Sequence, residues 1–144
     1  MPRTLPKRED MNDYAQDCPL TQIGVCQATL FGEAVEDLNC FDIQHVFCSP
    51  SFRCIQTCDA ILKGAKRGSL PIAIEPGLFE NVNFYKTIPN WMNYEELEST
   101  GFIVKHNYKE LFSREFLMKQ EDTEDTIAQI VNDILELIKD SSMF

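Results

Sequence analysis

The chain has 144 residues, with 13 basic residues against 23 acidic ones and a net charge of −10. That is one domain's worth of sequence, and an acidic balance without a basic patch excludes nucleic acid and anionic membrane as partners, because phosphate neutralisation supplies most of such affinity. No apolar run approaches the ~20 residues of a membrane-spanning helix, and no apolar stretch follows the basic start Met-Pro-Arg-Thr-Leu-Pro-Lys-Arg, so a soluble, cytoplasmic protein is expected.

Taken in chain order, residues 1–16 are polar, carry two prolines and show no periodicity. They read as a flexible lead-in to a domain over 17–144. Thr21 follows the break at Pro19 and caps a helix whose apolar stripe is Ile23, Gln27, Leu30, Phe31, Ala34 and Val35. Gly24 inside that pattern points to a close approach of neighbouring backbone. Ile43 to Cys48 reads as a short strand, with His45 in its middle as a packing residue. Ser49-Pro50 ends the strand, and Ser49 or Ser51 caps a helix running to about Lys66. Ser69 to Ile74 reads as a second short strand. Strand, helix and strand in this order form a βαβ unit, so a parallel sheet with a right-handed crossover is expected.

From Glu75 to about Gln120 aromatic residues mix with Pro76 and Pro89, the mark of a long excursion with a short helix near Tyr94–Glu98. Beyond it, Ile127, Ile130, Val131, Ile134, Leu135 and Ile138 keep the spacing of an amphipathic helix. Glu121, Asp122, Glu124 and Asp125 stand at its N-terminus, where the helix dipole favours negative charge. The six cysteines, Cys18, Cys26, Cys40, Cys48, Cys54 and Cys58, make no Cys-x-x-Cys pair and read as free thiols in a reducing compartment. Cys54 and Cys58 lie one helical turn apart, but with two histidines in the chain no metal site and no cofactor is expected.

Two segments carry a family resemblance. Pro19-Leu20-Thr21-Gln22-Ile23-Gly24-Val25-Cys26-Gln27-Ala28 is similar to a Pro-Leu-Thr-x-x-Gly-x-x-Gln-Ala helix start. Cys48-Ser49-Pro50-Ser51-Phe52-Arg53-Cys54-Ile55-Gln56-Thr57 is similar to a Ser-Ser-Pro-x-x-Arg-x-x-Gln-Thr strand-to-helix turn. In this order they resemble the histidine phosphatase, or phosphoglycerate-mutase-like, superfamily. Ile61-Leu62-Lys63-Gly64, Ile74-Glu75-Pro76-Gly77-Leu78-Phe79-Glu80 and Pro89-Asn90-Trp91 look like its branch of suppressors of T-cell receptor signalling, which also carry ubiquitin-associated and SH3 domains.

The resemblance implies a three-layer α/β/α fold with a mostly parallel sheet, and it covers roughly residues 13–139. It implies that Arg53, with Ser49 beside it, binds a phosphate dianion, and that Glu80, with Glu75 second, is the acid that protonates a leaving oxygen. The family's nucleophile is the histidine of an Arg-His-Gly turn upstream of the Pro-Leu-Thr segment, and a second histidine follows the last helix. Residues 1–18 contain no histidine, and neither His45 nor His106 stands at a motif position. The resemblance therefore implies a sheet incomplete relative to the family fold and a catalytically inactive signalling module. Such a module could keep phosphate or phosphoprotein affinity through Arg53 and pair with itself through exposed sheet edges. The alternative is a remnant or short form of an active, tyrosine-phosphatase-like phosphomonoesterase. One rival chemistry stays open: Cys48 and Arg53 resemble the Cys-x5-Arg loop of cysteine phosphatases, one intervening residue short.

Overall fold

A computed structural model describes residues 5–39, 42–79, 88–119, 131–136 and 139 of the chain. Its elements run α1 (Gln22–Leu38), β1 (Phe47–Cys48), α2 (Phe52–Gly64), β2 (Ala73–Ile74), α3 (Tyr94–Ser99) and α4 (Arg114–Lys119). Short 3-10 turns at Met11–Ala15 and Pro76–Leu78 complete the set. β1 and β2 pair in parallel, Phe47 opposite Ala73 and Cys48 opposite Ile74. On the other side of β2 a parallel bridge joins Ile72 to Val104, through the Ile72 amide to Ile103 O and the Lys105 amide to Ile72 O, each 2.9 Å. The expected α/β unit is present. Its strands are shorter than the apolar runs in the sequence, because the regular ladder covers only the last two residues of each run.

Phe52, Ile55 and Leu62 of α2 enter the core with Ile72, Ile74, Leu97 and Val104. Phe52 is fully buried and meets the edges of the Tyr14 ring at 5.8 Å and the Phe102 ring at 6.0 Å. Such edge-to-face pairs suit the aromatic quadrupole. α3 begins on a capping box, in which the Asn93 side chain accepts from the Glu96 amide and the Glu96 carboxylate accepts from the Asn93 amide. The short helix expected near Tyr94 is therefore locally specified.

The Thr21 cap of α1 is observed, its hydroxyl accepting from the Gly24 amide at 3.0 Å. The expected buried face is not. Ile23, Leu30 and Phe31 are 73%, 57% and 59% exposed, whereas Ala28 and Gly32 are the buried residues of this helix. The reason lies in the crossing with α2. A Cβ on Gly32 would stand 2.1 Å from Ile61 O, and one on Gly64 would stand 2.2 Å from Thr29 O. Two glycines bring the helix backbones together, and this contact, rather than the large apolar side chains, decides which face of α1 turns inward. Gly24 makes no such approach; its neighbours are the Leu20 and Thr21 side chains.

Two further expectations differ from what the fold shows. Residues 1–16 were expected to be flexible; in their described part Arg8 and Tyr14 are buried, and the Tyr14 hydroxyl donates to Pro6 O at 3.0 Å. His45 was expected to pack within a strand; it precedes β1 and is exposed. The C-terminal helix is described at 131–136, where Ile134 is buried, while Ile127, Ile130 and the acidic run at 121–125 lie outside the described residues. No described helix is long and apolar enough to cross a membrane.

Filling the helix crossing should be costly. Gly32→Ala and Gly64→Ala are each expected to lose about 1–3 kcal/mol of stability in urea unfolding, since backbone must move to admit the methyl group. Gly24→Ala, which meets only side chains, should stay within about 1 kcal/mol of the parent.

Candidate phosphate-binding site

The candidate site is organised by the start of α2. Ser51 is its N-cap by position but makes no side-chain cap. The Phe52 amide donates instead to Asp17 Oδ1 at 2.7 Å, and Asp17 Oδ2 accepts from Arg8 Nη1 at 2.9 Å. Both side chains of this ion pair are 1% exposed. Arg8 also donates to Asn90 O through Nη2 and lies 5.1 Å from the Tyr14 ring centroid. Burial pushes the Asp17 carboxyl above its ordinary range, against the opposing pull of the Phe52 amide, the Arg8 guanidinium and, more weakly, Arg53. Neither Arg8 nor Asp17 stood out in the sequence. Phe52 and Asn90, which complete their contacts, lie 35 and 82 residues away, and no periodicity marks the pair.

Arg53 occupies the first turn of α2 and is half-buried. Its side chain lines a cavity of about 490 Å3 with Leu20, His45, Phe47, Thr57 and Cys58 among the other walls. The Thr57 hydroxyl donates to Arg53 O at 2.8 Å, and the Leu20 amide donates to Gln56 Oε1 at 2.6 Å. The two sequence motifs therefore touch, with the glutamine of the second bonded to the backbone of the first.

The other candidate residues are placed differently. Ser49 is buried in the turn, its hydroxyl 3.5 Å from the Ser51 amide, and it does not line the cavity. Glu75 is 0% exposed. Its Oε1 accepts from the Gly77 amide at 2.8 Å and the Phe112 amide at 3.2 Å, and its Oε2 from the Tyr108 hydroxyl at 2.6 Å and the Leu111 amide at 2.8 Å. A carboxylate with both oxygens doubly engaged anchors the 108–112 segment to the end of β2. Glu80 lies outside the described residues. His106 is exposed and contacts Glu98 Oε1 at 2.6 Å through Nε2. Arg114, also unmarked in the sequence, donates to Pro89 O at 2.6 Å and Ile88 O at 2.7 Å and lies 4.9 Å from the Trp91 ring centroid. The Cys48 thiol is held far above its ordinary range by its hydrogen bond to Cys58 and by burial, the opposite of what a cysteine-phosphatase nucleophile needs. Among the described residues, no group of three or more His, Cys, Asp or Glu side chains is placed to hold a metal ion.

Residues 4–131 match the profile of the Histidine phosphatase superfamily (branch 1). The chain belongs to the histidine phosphatase superfamily. It is 44% identical over 112 residues to ecdysteroid-phosphate phosphatase of Drosophila melanogaster, covering 76% of this chain and 15% of that protein. It is 42% identical over 113 residues to human ubiquitin-associated and SH3 domain-containing protein B, covering 76% of this chain and 17% of that protein. The crystal structure of the ecdysone phosphate phosphatase of Bombyx mori in complex with tungstate superposes with a TM-score of 0.69 at 29% identity, over 90% of this chain and 57% of that one. The chain thus spans under a fifth of the length of these curated relatives. The histidine phosphatase fold neighbour agrees with an incomplete α/β architecture.

Two outcomes follow from the buried carboxylates. Asp17→Ala leaves the Arg8 guanidinium buried without its carboxylate and should cost about 3–5 kcal/mol in urea unfolding, enough to unfold a marginal domain. Tyr108 tests Glu75. Burial, and then the hydrogen bond and charge of Glu75, hold the Tyr108 phenol above its ordinary value of 10.0. Because the folded value is raised, its contribution to stability is complete below the unfolded value and is lost as pH climbs through the folded one. Tyr108→Phe should therefore flatten the fall of stability as pH rises above 10.0, measured by urea unfolding at several pH values. An equal slope in both proteins would refute the contact.

Proposed function

We propose that this chain supplies the arginine-bearing phosphate-binding part of a histidine phosphatase domain and does not itself turn over phosphate esters. The observation that carries the reading is Arg53 in the first turn of a thirteen-residue helix, on the wall of an open cavity of about 490 Å3. A guanidinium fork beside a helix N-terminus is a recurrent means of holding a phosphate dianion. Arg8 and Arg53 both act on the Asp17 carboxylate, and Arg8 also stands 3.9 Å from Asp13 Oδ2. The names of the relatives, and the tungstate bound to the Bombyx enzyme, support an anionic phosphorus ester as the ligand class. Against turnover stands the histidine inventory: neither His45, ahead of β1, nor His106, paired with Glu98, stands at the family's nucleophile position, and covalent phosphoryl transfer needs an activated nucleophile.

A second reading is favoured by the coverage of the relatives. The chain spans 57% of the Bombyx chain, and a longer polypeptide containing it would be an active phosphomonoesterase with Arg53 as phosphate ligand and Glu80 as acid. In that reading Glu75 keeps its structural place and Glu80 alone protonates the leaving oxygen.

A pair of measurements on this chain tests the first reading, and the same hydrolysis assay on a longer polypeptide tests the second. Orthovanadate at about ten times its dissociation constant should raise the melting temperature of the chain by roughly 3–6 °C, and Arg53→Ala should abolish the shift. Hydrolysis of p-nitrophenyl phosphate by this chain should stay at the buffer rate. A rate above buffer would overturn the first reading; under the second, the longer polypeptide hydrolyses the ester at a rate that falls in Glu80→Gln, and no vanadate shift would remove Arg53 from the phosphate site in either.

A further inference from the structure

α1 turns its apolar side to solvent. Ile23, Gln27, Leu30, Phe31, Ala34 and Leu38 lie along one face of the helix, and all six are exposed, Leu38 by 69%. The side bearing Ala28 and Gly32 is held by the close glycine crossing with α2, so the helix cannot roll to bury the stripe without giving up that contact. None of the six is charged, in a chain with 25% charged residues. We propose that this face is an interface between two copies of the chain, their α1 helices paired antiparallel about a two-fold axis at Leu30 and Phe31.

The spacing of the stripe selects a second copy. A two-fold axis between Leu30 and Phe31 sets each residue ahead of that point against the one equally far beyond it in the other copy. Ile23 then meets the partner's Leu38, Gln27 the partner's Ala34, and Leu30 the partner's Phe31. The six positions pair among themselves, large with large at the centre and at both ends, long with small between. A foreign partner would require no such palindrome. Charge selects the direction. Glu33, Glu36 and Asp37 stand in the C-terminal half of α1, whose first turn holds no acidic residue and whose last turn holds no basic one. Parallel copies would bring their acidic ends together. In the antiparallel pair Glu33 and Asp37 fall level with the partner's Ala28 and Gly24, and Asp37 comes to the positive end of the partner's helix dipole. Glu36 is engaged within its own chain, 3.9 Å from Lys66 Nζ and 3.6 Å from Arg67 Nη1. One helix face is small for a specific interface, so a micromolar dissociation constant is expected.

Sedimentation equilibrium of the full chain tests the pairing. The average mass should rise from that of one chain toward that of two as concentration climbs through the micromolar range. Leu30→Glu and Phe31→Lys, at positions already more than half exposed, should each stay at the mass of one chain. Mixed in equal amounts they should pair, because the introduced carboxylate of one meets the introduced ammonium of the other while the remaining Phe31 and Leu30 still meet. Ile23→Glu with Leu38→Lys gives the same exchange at the ends of the stripe and carries the test if a central variant fails to fold. A parent that stays at the mass of one chain, a dimer that persists in either single variant, or folded variants that do not pair on mixing would each overturn the assignment.

Discussion

The carboxylate of Asp17 holds three separate parts of the chain at one point. One oxygen takes the first amide of α2, the other takes Arg8 from the N-terminal segment, and Arg8 in turn reaches Asn90 beyond the aromatic stretch. A buried ion pair repays its desolvation best when the remaining donors are also satisfied; here a helix amide and a backbone carbonyl share that work, while Arg8 Nε is buried without a hydrogen-bond partner. The consequence for the site is positional. α2 starts where Asp17 fixes it, and Arg53 is in that first turn, so the direction in which the arginine emerges depends on a contact 35 residues upstream of the helix.

Elements specified by neighbours in sequence were legible, and those specified across the fold were not. Thr21 and its Gly24 amide, the parallel strands after Val46 and Ile72, and the Asn93–Glu96 capping box all follow from short-range chemistry. The buried face of α1 does not. Ile23, Leu30 and Phe31 form a convincing helical stripe, yet the helix turns on Gly32, because only there can the α2 backbone approach. A hydrophobic pattern reports that a helix has an apolar side, and packing against a partner without Cβ atoms can still select another. In the same way, Ser51 was a reasonable cap by residue type, but the carboxylate of Asp17, 35 residues upstream, took the helix amide instead.

The two candidate carboxylates show the limit of a motif. Glu75 and Glu80 sit five positions apart in one recognisable segment, and sequence alone ranked them without a physical reason. The fold gives one for Glu75. Its oxygens accept four hydrogen bonds from Gly77, Tyr108, Leu111 and Phe112, so it ties the turn after β2 to a segment more than 30 residues on. Removing a proton acceptor so fully engaged would leave several buried donors unpaired, which makes this position costly to change for reasons of stability alone.

The same distinction applies to the family signature as a whole. Thr21 caps α1, Gln56 binds the Leu20 amide, and Thr57 bonds back to the Arg53 carbonyl. Each of these motif residues acts on backbone, and together they pin the Pro-Leu-Thr segment against the helix that follows β1. Arg53 is the charged motif residue among those that line the cavity. A signature built mostly from backbone staples is kept by any chain that must fold this way, whether or not a nucleophile accompanies it. Identity of 44% over 112 residues to a phosphatase therefore reports a shared scaffold, and a shared scaffold does not by itself fix the chemistry of a site built on it.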